Sequence, residues 1–152
     1  MSESEQELQT LMTGEIPLAR CAGFKVETSS RELVEISGTL EKNSNHHNTV
    51  FGGSIAVSLI LSGWAMVREL MKEIDPEASI VVARQSVDYL LPVTGDFISR
   101  CLPPEAESLG SLRNSLEKKN TGKITVEAGL FRRGESRCCA VFTGLFVVKS
   151  SS

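Results

Sequence analysis

Hydrophobic positions along the chain change period more than once. Over residues 5–12, Leu8, Leu11 and Met12 recur at offsets of three and four, which is the spacing of one helical face. Ser2 and Ser4 stand ahead of them as candidate N-caps, and Gly14 and Pro17 close the segment. From Phe24 the period falls to two. FKVETSS and ELVEISGTLEK alternate apolar and polar residues around a turn candidate, SSRE, which predicts a β-hairpin.

The next stretch breaks both patterns. No Asp, Glu, Lys or Arg lies between Lys42 and Arg68, and NHHNTVFGGSIAVSLILSGWAMV fills most of that interval. A helix from Gly52 to Ile74, before the Asp75-Pro76 stop, would be roughly 34 Å long. Such a run is long enough to span a bilayer. However, Gly52, Gly53, Ser54, Ser58, Ser62 and Gly63 dilute its hydrophobicity, and it continues into the amphipathic RELMKE. A helix that is apolar all round is otherwise one enclosed by protein, and a curved antiparallel sheet wrapped around it would provide that enclosure. Ser54, Ser58 and Ser62 are four apart and share one face. Three readings of that stripe stand side by side: hydroxyls bonding their own helix's carbonyls, small residues permitting close packing, or the border of a narrow cavity.

The remainder reads mainly as strands. SIVVARQSVDYLLPV is a long β-branched run, and TGDFISRCL follows a tight turn at Thr94-Gly95-Asp96. GKITVEAGLFRR and SRCCAVFTGLFVVK form a hairpin about Arg133-Gly134-Glu135, while SLGSLRNSLEKKN fits a helix or a strand. Strands on both sides of one long helix predict an α+β fold with a mainly antiparallel sheet and a short N-terminal helix. No repeat or linker divides residues 1–152, so a single domain is expected.

Composition narrows the functional classes. The formal net charge of −3 and a sequence pI of about 5.5 give no bulk attraction to nucleic acid or to an anionic membrane. The four cysteines form no CxxC pair, so reduced thiols are expected. The polar, acidic N-terminus lacks the pattern of a signal peptide, and a cytoplasmic location is the corresponding expectation.

At NHHNTVFGGS the chain resembles the start of the central helix in hotdog-fold acyl-thioester proteins, a motif written Asn-x-x-Gly-x-x-His-Gly-Gly. Asn45 matches the Asn, Asn48 stands at the Gly, Phe51 replaces the His, and Gly52 and Gly53 match the glycine pair. Phe before the glycines, with Ser54 and then Gly63-Trp64 after them, resembles the subgroup of thioesterases similar to the YiiD C-terminal domain. VDYLLPVTGDFISRC and AVFTGLFVV are similar to that family's long strand and last strand. The resemblance runs from about Leu18 to the end of the chain. It implies a hotdog fold, a homodimer or dimer of dimers with substrate at the interface, and thioesters of coenzyme A or an acyl-carrier protein as ligands. No cofactor is implied beyond the coenzyme A or phosphopantetheine of the substrate, and no metal.

Thioester hydrolysis needs a polarised carbonyl, an activated water and room for the acyl tail. Glycine allows close backbone approach, and the first amides of a helix have no intrahelical partner and carry partial positive charge. Gly53 is therefore the candidate oxyanion donor, with Asn45 and Ser54 positioning the carbonyl or water. Asn48, Phe51, Gly52, Ser58 and Asp88 are the candidate substrate-binding residues. Close packing of helix on sheet would equally account for the glycine pair.

Many hotdog thioesterases of this pattern carry Asp or Glu about two turns into the helix. The equivalent SLIL, residues 58–61, has none. His46 and His47 are the residue type that titrates nearest neutrality, but they sit in a polar loop without a third metal ligand nearby. Arg84, Arg132 and Arg133 are candidates for meeting substrate phosphates, and Phe51, Trp64 and Met66 for an acyl tunnel. The expected function is acyl-thioester hydrolysis. The missing carboxylate leaves a non-catalytic acyl-thioester binding module as the alternative.

Overall fold

The computed structural model describes residues 1–152. The chain opens with α1 (Glu3–Glu15). Ser2 caps it, accepting from the Glu5 N–H, while Glu5 reaches back to the Ser2 N–H, a reciprocal box that satisfies two end donors. Pro17 does not end the helical region. It begins a second helix, α2 (Pro17–Ala22), where its missing N–H costs nothing. Gly23, at φ 70°, closes α2.

The predicted hairpin is β1 (Lys25–Ser29) and β2 (Val34–Gly38). A short turn of helix, α3 (Leu40–Asn43), and a loop then lead to the central helix α4 (Gly52–Met71). At about 30 Å, α4 stops three residues short of the sequence expectation. Next come β3 (Ser79–Tyr89), β4 (Phe97–Cys101), α5 (Ala106–Lys119), β5 (Thr121–Arg132) and β6 (Cys138–Lys149). The ambiguous SLGSLRNSLEKKN is thus helical. It buries Leu112 and Leu116, four apart on one face.

The six strands form one antiparallel sheet in the order β1-β2-β4-β5-β6-β3. α4 packs on its inner face. Ile124, Val126, Ala128 and Leu130 of β5 point inward, as do Phe142, Phe146 and Val148 of β6, and all are buried. Each large aliphatic or aromatic side chain so enclosed contributes about 2–3 kcal/mol. Gly63 lets the helix come close, because a Cβ there would lie 3.1 Å from the Phe142 ring and 3.2 Å from Val126. α4 is apolar and long enough to cross a membrane but mostly buried inside the domain; it is the core helix. This is the sheet-around-helix architecture expected from the hotdog resemblance.

At Ser58 and Ser62 the serine stripe resolves into bonds to the helix's own carbonyls. The Ser58 hydroxyl donates to the Ile55 carbonyl at 2.9 Å, and the Ser62 hydroxyl to Leu59 at 3.0 Å. The Ser99 hydroxyl of β4 lies 3.1 Å from the Ser58 carbonyl and 3.2 Å from that of Ile36, linking helix to sheet. Ser58 and Ser62 are wholly buried.

β3 is an edge strand and behaves unlike the others. Val81, Val82, Tyr89 and Leu90, at its edge and just beyond, are exposed large hydrophobics, and nearly every residue of β3 is open to solvent.

Candidate functional site

The loop before α4 is held by its own side chains. The Asn45 amide nitrogen donates to Thr49 Oγ1 at 2.9 Å, and its oxygen accepts from the His47 N–H at 2.9 Å and the Thr49 N–H at 3.2 Å. Asn48 adopts φ 61°, the left-handed region that Gly enters freely and Asn tolerates. That conformation explains why Asn can stand at a position where the motif has Gly. The Val50 N–H donates to the Val93 carbonyl at 2.8 Å and the Phe51 N–H to Asn43 at 2.7 Å, so the loop delivers Phe51 to the helix start in a fixed direction.

Phe51 is the N-cap and provides no side-chain hydrogen bond. Ile55 is the first residue of the helix whose N–H finds a carbonyl, that of Phe51, at 3.1 Å. The N–H groups of Gly52, Gly53 and Ser54 have no acceptor in the protein, and these three residues are half-buried. Three amides therefore converge, unpaired, at the positive end of a 20-residue helix. Two aromatic rings flank them. A Cβ on Gly53 would collide with the Phe51 ring, which lies across that residue, while the Tyr89 ring stands 3.5 Å from where a Gly52 Cβ would be. The Tyr89 hydroxyl donates to the Gly52 carbonyl at 3.0 Å. Both rings remain more than half exposed, at 57% and 54%.

The structure thus brings Asn45, Asn48, Phe51, Gly52, Gly53 and Ser54 together at one end of α4. It does not bring Ser58 to an open surface. Asp88 pairs with Val141, whereas Val87 and Tyr89 pair with the inward-facing Phe142 and Ala140, so Asp88 lies on the sheet face turned away from α4. The His46 and His47 rings lie 3.8 Å apart between centroids, tilted by 43°, and both residues are exposed. No group of three metal-ligating side chains assembles anywhere in the chain. Of the candidate arginines, Arg132 pairs with Glu135 at 3.3 Å and Arg133 with Glu27 at 3.0 Å. Met66 is fully buried on the sheet-facing side of α4, while Phe51 and Trp64 retain exposure.

Sequence reasoning passed over Tyr89 as a site residue. The available signal was its alternation with Asp88, which places the two side chains on opposite faces. A groove of about 800 Å³, lined by Arg100, Leu102, Pro104, Glu127 and Phe131 among others, lies on the outer face of the sheet, apart from the helix tip.

The family described as putative thioesterase (yiiD_Cterm) matches residues 5–150. The chain belongs to that family. Among solved structures, a putative thioesterase from Shewanella oneidensis is similar at 28% identity, covering 99% of each chain with a TM-score of 0.84. A protein of unknown function from Chlorobaculum tepidum shares the fold at a TM-score of 0.89 and 23% identity, covering 97% of this chain and 94% of its own. A Pseudomonas aeruginosa protein described as a probable thioesterase does so at 0.82 and 16%, covering 95% of each chain. Two of the unpaired amides of α4 belong to the glycine pair, Gly52 and Gly53, and the third to Ser54.

Proposed function

We propose that the protein hydrolyses acyl thioesters of coenzyme A or of an acyl-carrier protein at the N-terminal tip of α4. Water would add to the carbonyl carbon, the carbon–sulfur bond would break, and a carboxylic acid and a thiol would leave. The observation that carries this reading is the set of three unpaired amides at Gly52, Gly53 and Ser54 in a chain of the putative thioesterase family. As the carbonyl oxygen gains charge, the Gly53 N–H would stabilise it, a donor worth on the order of 3 kcal/mol in such a role. Ser54 is half-buried in the first turn of α4, and Asn45 keeps one amide hydrogen beyond the bond to Thr49. These two would orient the carbonyl or the water. Phe51 and Gly52 would contact substrate beside them, and Asn48 would hold the loop turn.

A second copy of the chain belongs in this reading. β3 is a long edge strand with exposed Val81, Val82 and Tyr89, the kind of strand that proteins cover. Pairing β3 with its counterpart would form a homodimer with the helix tip, bound to Tyr89, near the seam. No cofactor is needed beyond the carrier of the substrate. Four free thiols fit a reducing compartment, and we place the protein in the cytoplasm.

One observation favours the non-catalytic alternative. Residues 58–61, where the carboxylate usually stands, are SLIL; Ser58 is sealed in the core, and Asp88 faces away. The deciding experiment incubates the purified protein with acyl-coenzyme A of short, medium and long chain and follows free thiol. Release that is lost on Asn45→Ala supports the hydrolase. Tight binding without release supports the binding module.

A further inference from the structure

The turn that precedes α4 carries two histidines that the proposed reaction leaves without a role. The Asn48 N–H donates to the Asn45 carbonyl at 3.1 Å, which makes His46 and His47 the central pair of a β-turn. Ser44 and Val50 bridge below them, and the Asn45 N–H donates to the Thr49 carbonyl at 2.8 Å. The turn therefore projects from the same backbone that delivers Phe51 to the helix. Both imidazoles are exposed, with ring centroids 3.8 Å apart. Two rings this close repel each other when both gain positive charge, and an anion that bonds both relieves the repulsion. The segments packed beside the turn meet it through the Asn43 and Val93 carbonyls. Their charged groups are Glu41 and Lys42 of α3 and Asp96, whose carboxylate accepts from the Leu40 N–H at 2.9 Å. None of the chain's ion pairs includes either histidine, whereas Arg132 and Arg133 are engaged by Glu135 and Glu27.

We propose that His46 and His47 bind the phosphate at the far end of the pantetheine arm, so that affinity for the thioester's carrier rises as the pH falls. This rests on the thioester reading, because the near end of the arm is placed at the Gly53 amide. His47 and Gly53 are six residues apart, so their Cα atoms lie within about 20 Å of each other. From the thioester carbonyl carbon to the first phosphorus the arm has roughly fourteen bonds, which span about 17 Å when extended. An arm anchored at the helix tip therefore brings its phosphate within range of the turn. Histidine is the side chain type whose charge changes nearest neutrality, which gives the contact its pH dependence. The phosphate itself is common to coenzyme A and to the phosphopantetheine of a carrier protein.

The test measures binding of S-butyl-dephospho-coenzyme A to the full-length protein by calorimetry. This thioether cannot be hydrolysed, and its diphosphate keeps its charge over the range used, so a change in affinity belongs to the protein. Affinity is expected to rise about fivefold between about pH 8 and about pH 5.5, the worth of exposed charge pairs. In the His46→Gln, His47→Gln double variant the rise disappears. His47→Lys, charged at both pH values, brings the affinity at the higher pH up to nearly that of wild type at the lower one. S-butyl-pantetheine, which has no phosphate, binds equally at both. A rise that is absent, that survives in the double variant, or that appears equally with S-butyl-pantetheine overturns the proposal. S-butylated holo-acyl-carrier protein separates the two sources: a histidine-dependent rise there as well assigns the contact to either carrier, and a rise with the nucleotide thioether alone assigns it to coenzyme A. A histidine-dependent rise without thiol release from acyl-coenzyme A supports the phosphate contact and overturns hydrolysis. Thiol release without that rise does the reverse.

Discussion

The Tyr89 hydroxyl donates to the Gly52 carbonyl at 3.0 Å, across 37 residues of sequence. The bond ties the end of β3 to the first turn of α4, so the edge strand and the amide tip keep a fixed relation. Tyr89→Phe retains the ring that stands against Gly52 and removes only the bond. Loss of one partly exposed hydrogen bond should lower stability by about 0.5–1 kcal/mol. Thiol release from acyl-coenzyme A should fall further, by about thirtyfold in kcat, or 2 kcal/mol, with little change in KM, because the amides lose their orientation. Equal losses in stability and activity, read from denaturant melts and initial rates, would reduce Tyr89 to a packing residue.

Gly53 and Phe51 form a second coupled pair. An alanine at Gly53 keeps the N–H but puts a Cβ where the Phe51 ring lies. The ring must turn outward across the approach to the amides. Gly53→Ala is expected to lower kcat/KM by about tenfold, or 1.4 kcal/mol. The Phe51→Ala, Gly53→Ala double variant should recover part of that loss, since neighbours sharing one volume are non-additive. Simple additivity of the two single losses would show that the ring does not govern access.

How much of this was legible in the chain depends on the range of the interaction. The candidate site from Asn45 to Ser54 is continuous in sequence, and its turn and glycine chemistry are local, so it could be read directly. Tyr89 reaches the site only through strand register, where a shift of one residue reverses the face. Asp88 stands out as an Asp within a strand, and its neighbour Tyr89 makes the contact. α2 was missed because Pro17 stops one helix and, equally well, starts another. The period of α5 was obscured by Ser and Gly among Leu109, Leu112 and Leu116. The exposure of β3 could not be read from its apolar composition, because a β-branched run fits a buried strand and an uncovered edge alike.

The cysteines should divide by burial. Cys101 is fully enclosed, and burial pushes its thiol up to about 12, so almost none is present as the reactive thiolate near neutrality. Cys21 is exposed. In the folded protein at pH 8, a thiol reagent should modify Cys21 quickly and leave Cys101 intact for as long as the fold persists. Adding denaturant should release Cys101. Peptide mapping by mass spectrometry reads this directly, and early labelling of Cys101 would mean that the β4 end of the core opens far more readily than its packing implies.

Asp75 gives the chain a pH-dependent clasp. The Ser151 backbone N–H donates to its carboxylate at 2.8 Å and the Ser151 hydroxyl at 2.8 Å, with the Glu77 N–H at 3.2 Å and the Ser150 hydroxyl at 3.3 Å. These bonds, the Ser151 backbone first, hold the carboxyl below its ordinary value of 3.8. A depressed folded-state pKa adds stability that is fully present above the unfolded value and is lost as pH falls through the folded one. Wild type should therefore melt above Asp75→Asn at pH 6, and the gap should close as the pH drops below about 3.8. Glu27, also lowered, chiefly by its bond from the Ser37 hydroxyl, titrates in both proteins and cancels in the difference. Ser151→Pro, which removes the N–H, should reproduce most of the gap at pH 6. A constant difference between pH 6 and pH 2 would mean that Asp75 acts through packing and not through its charge.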